Sequence, residues 1–261
     1  GKATGVSFID KDENKEYKLK GKVVVLAASA CSSARILLNS KSKEHPNGLG
    51  NSSDLIGKYL HDSTGGDMMA FLPELIDRKT YNEDGVGGMH VYSPWWLDNK
   101  KLDFARGYHI EVWGGMGAPT YGTGFNVNSF NKFFGINKAG GYGDVLRKDM
   151  KKYYGSTIGI SGRGESVAQK SNYCEIDPSK VDKYGVPILR FNYKWTDNEI
   201  KQAKHMQDTF EEIIHNMGGI PLWGKPGKDA NYGLNKPGWI IHEVGTTRMG
   251  DDPKKSVTNQ F

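Results

Sequence analysis

The sequence predicts two architectures in succession: an α/β segment, then an α+β region of antiparallel strands with helices. Three observations carry this reading. Residues 22–28, KVVVLAA, form a continuous apolar, β-branched run that turns directly into SACSSARILLNS, and such runs belong to strands buried on both faces of a parallel sheet. Beyond residue 65 short strand-like runs such as GGMHVYSPWW and ARGYHIEVWGG are separated by turn residues, the mark of antiparallel strands. Late in the chain, TDNEIKQAKHMQDTFEEIIHNMGG carries apolar residues at helical spacing.

In order along the chain, TGVSFI and EYKLKG flank the polar turn DKDENK and read as a hairpin. The apolar run of residues 22–28 follows as a buried strand, and the serines after it are placed to cap a helix carrying Ile36, Leu37 and Leu38. A strand buried on both faces needs neighbours, and no second strand-turn-helix repeat is found in the 261 residues, so the parallel sheet is expected to be incomplete. HPNGLGNSSDLIGKYLHDS reads as a loop leading into a short helix that begins near Ser53. A domain boundary is expected near residue 65.

The second region adds a short amphipathic helix in YGDVLRKDMKKYYG and strands in STIGISGRGE, NYCEIDP and VPILRFNYKW. In the long helix Thr196 and Glu199 form a capping box. Ile200, Ala203, Met206, Phe210, Ile213 and Met217 follow on one stripe, and Gly218 offers a left-handed stop. The glycine-rich loops of residues 85–143 read equally as a lid, a pocket rim or plain surface connections.

Composition excludes several classes. The 35 basic and 30 acidic residues are interspersed and leave a net charge of +5, a solvated surface rather than a nucleic-acid patch. Cys31 and Cys174 give neither a disulfide framework nor metal-ligand spacing, so no metal site is expected. No apolar run approaches the roughly 20 residues of a membrane-spanning helix. GRGES lacks the third glycine and following helix of a dinucleotide loop, and no Walker motif, nucleophile elbow or zinc-protease helix occurs. The chain opens on GKATG, without an initiator Met, so a signal peptide, if there is one, is expected upstream and the compartment stays open.

The chemistry-bearing stretch is HEVGTTRMG. His242 follows the apolar WII, expected to deliver it from a strand, and glycine and threonines then allow close approach of backbone to a ligand. An imidazole in that setting suits proton transfer near neutral pH. His205 and His215 read as solvated positions of the long helix, His45 and His61 as loop residues, and His90 and His109 as strand residues. In RGYHIEVWGG alternation puts His109, Glu111 and Trp113 on the face opposite Tyr108, Ile110 and Val112. Hydrogen-bonding groups beside an aromatic plate suit a polyhydroxy ligand, and the same alternation also describes a half-exposed sheet with its polar side in water. Of Trp95 and Trp96, at most one lines any given pocket, because adjacent strand residues face opposite ways.

Taken in order, KVVVLAASACSSARILLNS, GLGNSSDLIGKYLHDS and HEVGTTRMGDDPKKSV resemble the glucose-methanol-choline (GMC) family of flavin-dependent oxidoreductases. The resemblance covers the middle-to-late part of a family member. It implies that residues 1–65 are part of an FAD-binding Rossmann-like domain, 66–240 an antiparallel-sheet substrate domain, and 241–261 a segment returning to the active site. The missing segments of the parent chain would lie before Gly1, with the phosphate loop, and after Phe261, with the second catalytic residue. By the same resemblance Ala27, Ala28, Ser29 and Ala30 line the cofactor, with Ser29 where many members have glycine, and His242 is the first catalytic residue. The implied reaction is oxidation of an alcohol: proton abstraction from the hydroxyl and hydride transfer to the flavin.

His109, Glu111 and Trp113 are candidate substrate contacts, and the aromatic-rich segment around them resembles sugar-oxidising members. The partners implied are a small alcohol or sugar and an electron acceptor whose identity the sequence leaves open. This piece is expected to hold FAD poorly alone and to expose apolar surface near residues 1–60. The alternative is a non-enzymatic carbohydrate-binding or scaffold module without flavin.

Overall fold

The structure is a computed structural model describing residues 3–78, 91–93, 101–114 and 143–258. In chain order it runs β1 (Gly5–Asp10), β2 (Lys15–Lys20), α1 (Ala30–Asn39), β3 (Thr64–Phe71), β4 (Val91–Ser93) and β5 (Tyr108–Gly114). It continues with α2 (Asp144–Tyr153), β6 (Thr157–Gly164), β7 (Tyr173–Val181), β8 (Pro187–Asn192), α3 (Asp197–Asn216) and β9 (Ile220–Pro221). The hairpin, both predicted helices of the second region and the helix after residue 29 form, as do the predicted strands of that region where they fall within the described residues, GGMHVYSPWW being described only over Val91–Ser93. The loops of residues 85–143, with His90, Trp95 and Trp96, lie largely outside the described residues.

The chain divides into two compact units: residues 1–62, 167–194 and 241–261 form one, residues 63–166 and 195–240 the other. This differs from a continuous 66–240 domain, because residues 167–194 cluster with the first unit. The reason is hydrogen bonding and packing. Leu60 N donates to Asn172 O at 3.0 Å and Cys174 N to Gly57 O at 2.9 Å, and β7 and β8 pair antiparallel to give α1 a surface to lie on.

In the first unit α1 packs Ala34 and Leu38 with Ile56, Leu60 and Cys174. Arg35 fastens the helix to the β7–β8 hairpin through Pro187 O at 2.8 Å, Val186 O at 2.9 Å and Asp182 Oδ2 at 2.7 Å. The Arg35 bond holds the Asp182 carboxyl below its ordinary pKa.

Three expectations are corrected here. Residues 22–28 form no strand, and Val23 and Val25 are 79% and 83% exposed. A strand exists only through hydrogen bonds to a neighbour, and among the described residues every strand pairing in the named sheets is antiparallel and none includes this run. No helix begins near Ser53: Asn51 closes a turn instead, its Oδ1 accepting from Ile56 N at 3.1 Å and its Nδ2 donating to Asn47 O at 3.1 Å. Ser29 occupies the N-cap of α1 without a side-chain cap, while Ser33 Oγ accepts from Ala28 N at 3.3 Å.

The second unit is a five-stranded antiparallel sheet in the order β4-β5-β6-β3-β9. Its larger core joins Met206, Phe210 and Ile214 of α3 to Met68, Ala70, Tyr108, Ile110, Ile158 and Ile160 of the sheet. Each large apolar side chain among them is worth about 1.5–3 kcal/mol when fully buried. A smaller cluster holds Met69, Phe71, Tyr153 and Leu222, with Trp113 packed against it. The capping box is complete: Thr196 N donates to Glu199 Oε2 at 2.8 Å and Asn198 N to Thr196 Oγ1 at 3.3 Å. Gly218 follows at φ 67°, the left-handed stop the sequence predicts. Among the described residues no helix is long and apolar enough to cross a membrane.

Candidate functional site

The first unit brings the three sequence motifs together. Residues 241–250 run as a strap along residues 57–62. His61 and Val244 exchange backbone bonds at 3.1 and 2.9 Å, Gly57 N donates to Thr246 O at 2.8 Å, and Thr246 N donates to Lys58 O at 3.1 Å. The side chain of Thr246, fully buried, reaches across to the remaining motif and donates to the Ala30 carbonyl at 2.8 Å. The small-residue turn, the residues before Asp62 and the histidine strap are therefore one hydrogen-bonded assembly.

His242 is exposed, and its backbone N–H donates to Oδ1 of the buried Asp62 at 2.9 Å. Asp62 in turn has its N–H on the Tyr193 hydroxyl at 2.9 Å. The expected strand delivery is corrected: residues 239–241 are not a strand, and the position of His242 is set by the Asp62 bond and the His61–Val244 bridge. Ile241 before it has φ 59°, a conformation that is an outlier for a β-branched residue. Gly245 is obligatory: at φ 90°, a Cβ there would lie 2.1 Å from Tyr59 O.

Ala27 and Ser29 are exposed and Ala28 and Ala30 half-buried. Ser29 has φ 68° and ψ 168°, a region that only glycine occupies without strain. Backbone with tiny side chains thus faces outward just ahead of α1. Directly behind it, Cys31 packs with Cys174. The hydrogen bond from Cys174 lowers the Cys31 thiol, against burial and the charges of Glu243 and Asp62.

In the second unit His109, Glu111 and Trp113 share one face of β5, as alternation requires. His109 Nε2 and Glu111 Oε1 are 2.8 Å apart, and Ser161 Oγ, directly across on β6, donates to Glu111 Oε2 at 3.2 Å. Burial pushes the Glu111 carboxyl up, but the His109 bond, the Arg163 charge and the Ser161 bond outweigh it and leave the pKa below its ordinary value. The Tyr92 ring stands 5.5 Å from that of His109. Trp113 belongs elsewhere: it lies over Gly159, where a Cβ would sit 2.2 Å from the indole, and joins the small cluster. His109 and Glu111 form a polar patch, and Trp113 is packing.

His205, expected to be solvated, is half-buried, edge-on to Phe104 and Tyr108, with Nδ1 2.6 Å from the Tyr108 hydroxyl. His215 is exposed as expected, and His61 Nδ1 meets Tyr59 O at 2.8 Å. Sequence reasoning missed Asp62, the last residue but one of the second motif, Thr246, which stands inside the third, and Ser161 and Arg163, whose strand partners are Glu111 and His109. Among the described residues no cluster of three metal-ligating side chains occurs.

Residues 169–261 match the family model described as GMC oxidoreductase. Over all of its length the chain is 28% identical to 2-methyl-1,2-propanediol dehydrogenase of Mycolicibacterium austroafricanum, covering 44% of that protein. It is 24% identical over its whole length to the gluconate 2-dehydrogenase flavoprotein of Pantoea cypripedii, covering 41%. Over 99% of its length it is 24% identical to the fructose dehydrogenase large subunit of Gluconobacter japonicus, covering 43%. The chain spans less than half the length of these curated relatives.

Proposed function

We propose, from the premise that this chain is a relative of the GMC oxidoreductases, that it is part of a flavin-dependent enzyme oxidising an alcohol group of a sugar or sugar derivative. The single observation that carries the reading is the Thr246–Ala30 bond. It joins the strap bearing His242 to the small-residue turn through the side chain of the buried Thr246. The first unit is read as cofactor-binding, with the Rossmann-like part to which residues 1–65 would contribute, and the second as substrate-binding.

The residues fit FAD on two counts. The turn of Ala27, Ala28, Ser29 and Ala30 offers exposed backbone with no bulky side chain, and Ser29 holds a glycine-type conformation that suits close approach of a ligand. The strap offers exposed apolar side chains, Ile241, Val244 and Met249, of the kind a flat aromatic group covers. A bound FAD would supply the acceptor for the carbinol hydride. His242 would take the hydroxyl proton. Asp62 would act through the backbone of His242, holding the imidazole where the proton leaves, and Thr246 would keep the strap in register with the turn. In the second unit His109 and Glu111 would bond sugar hydroxyls, with the Ser161 bond and the Arg163 charge holding the Glu111 carboxylate in place. The diol, sugar acid and sugar in the relatives' names support a polyhydroxy substrate.

The test is flavin reduction by sugars and simple alcohols in the full-length enzyme and its His242→Ala variant. A general base predicts a loss of about 100-fold or more in the reduction rate with retained flavin absorbance. An unchanged rate removes His242 from the reaction. Turnover of aliphatic or aryl alcohols alone removes the sugar assignment, and a full-length protein that binds no flavin favours the carbohydrate-binding or scaffold module.

A further inference from the structure

The chain has two cysteines, far apart in sequence, and the proposed function assigns a role to neither. Both are free thiols, yet the fold packs them in one cluster between α1 and β7. Cys174 is fully buried, and its backbone is fixed on both sides of the peptide: its N–H donates to Gly57 O at 2.9 Å, and β7 pairs it with Phe191. Cys31 is half-buried and stands in the first turn of α1. That position favours a thiolate, since the unpaired N–H groups of a helix start attract negative charge.

We propose that Cys31 and Cys174 are a reversible redox pair, oxidised by a hydroperoxide to a disulfide that bridges α1 and β7. The two thiols have unequal tasks. Cys31 is the accessible member, and the hydrogen bond from Cys174 lowers its pKa, with burial and the Glu243 and Asp62 charges opposing. Cys174 is held protonated by that same bond and by burial, with Lys58 pulling the other way. Cys31 is therefore oxidised first and Cys174 resolves.

The chemistry balances with the peroxide as sole oxidant. The Cys31 thiolate attacks one peroxide oxygen, the O–O bond breaks, and the leaving alkoxide or hydroxide takes a proton, giving a sulfenic acid. Cys174 then gives up its proton as its sulfur attacks Cys31 sulfur, the S–O bond breaks, and water departs. Two sulfurs have lost two electrons, and the peroxide has become an alcohol or water plus one further water. Because Cys31 follows Ala30, whose carbonyl receives Thr246, the bridge would form directly behind the small-residue turn.

The experiment treats native full-length protein with hydrogen peroxide, then denatures it in N-ethylmaleimide to block every remaining thiol, the buried Cys174 included, and maps the peptides by mass spectrometry. The expected result is a linked Cys31–Cys174 peptide, two hydrogens lighter than its parts and released by dithiothreitol, with loss of both maleimide adducts. In Cys174→Ser the expected product is a Cys31 sulfenic acid trapped by dimedone. In Cys31→Ser, Cys174 should stay reduced. Maleimide on both cysteines after peroxide, or an oxidised Cys31 beside a free Cys174 in the unaltered protein, would overturn the proposal. Neither readout depends on flavin or alcohol turnover, so it can fail independently of the proposed activity.

Discussion

The Thr246 hydroxyl donates to the Ala30 carbonyl at 2.8 Å, across 216 positions of sequence. Thr246 is wholly buried, and the bond fixes the strap to the start of α1. Thr246→Val keeps the shape and removes the donor, leaving the carbonyl without it. The expected loss is about 1–3 kcal/mol, read as a lower denaturant midpoint at unchanged slope, and Thr246→Ser should recover most of it. A valine variant as stable as its parent would mean the hydroxyl contributes nothing.

Gly245 stands at φ 90° with Tyr59 O occupying the place of any side chain. Gly245→Ala combines backbone strain of about 1–3 kcal/mol with a contact that only displacement of the residue 57–62 backbone can relieve. A loss of at least about 3 kcal/mol is expected from the two together, with amide exchange in the strap rising far more than in α3. Equal protection in both segments would contradict the pinned strap.

Ser29 is predicted to be improvable. Its φ of 68° and ψ of 168° cost about 1–3 kcal/mol for a residue with a Cβ, whereas glycine's extra freedom in the unfolded chain costs only about 0.4–1 kcal/mol. The strain outweighs the entropy. Ser29→Gly should therefore raise the melting temperature, and a fall would show that the serine makes a compensating bond.

Acid sensitivity should come in two windows. Burial raises the Glu111 pKa, but the His109 bond, the Arg163 charge and the Ser161 bond together bring it below its ordinary value on folding. Its contribution is present above the ordinary glutamate value of about 4.3 and is lost as pH falls through the lowered folded value. His205 is lowered by burial, against the charges of Asp208 and Asp103, and the neighbouring Tyr108 hydroxyl, pushed to about 12 by burial, stays protonated to donate. Its contribution is present above about pH 6.5 and declines as pH falls through its folded value. Urea midpoints against pH should lose the upper arm in His205→Gln and the lower arm in Glu111→Gln. A profile that neither variant alters would refute both assignments.

Local and periodic features were legible in the sequence. The Thr196–Glu199 capping box, the stripe from Ala203 to Phe210 and the faces of β5 depend on residues a few positions apart, and the backbone repeat alone fixes their geometry. The order of the three motifs pointed to the GMC oxidoreductases, and the relatives cover the same stretch. Tertiary structure alone decided the rest. An apolar run such as residues 22–28 is suited to burial but cannot supply its own neighbours, and Val23 and Val25 stand exposed. Trp113 went to packing because Gly159 leaves room for its ring on the adjacent strand, and the pairing of Cys31 with Cys174 and of Thr246 with Ala30 required the chain to close. Contacts between distant residues depend on which surfaces the fold brings together, and no spacing along the chain encodes that.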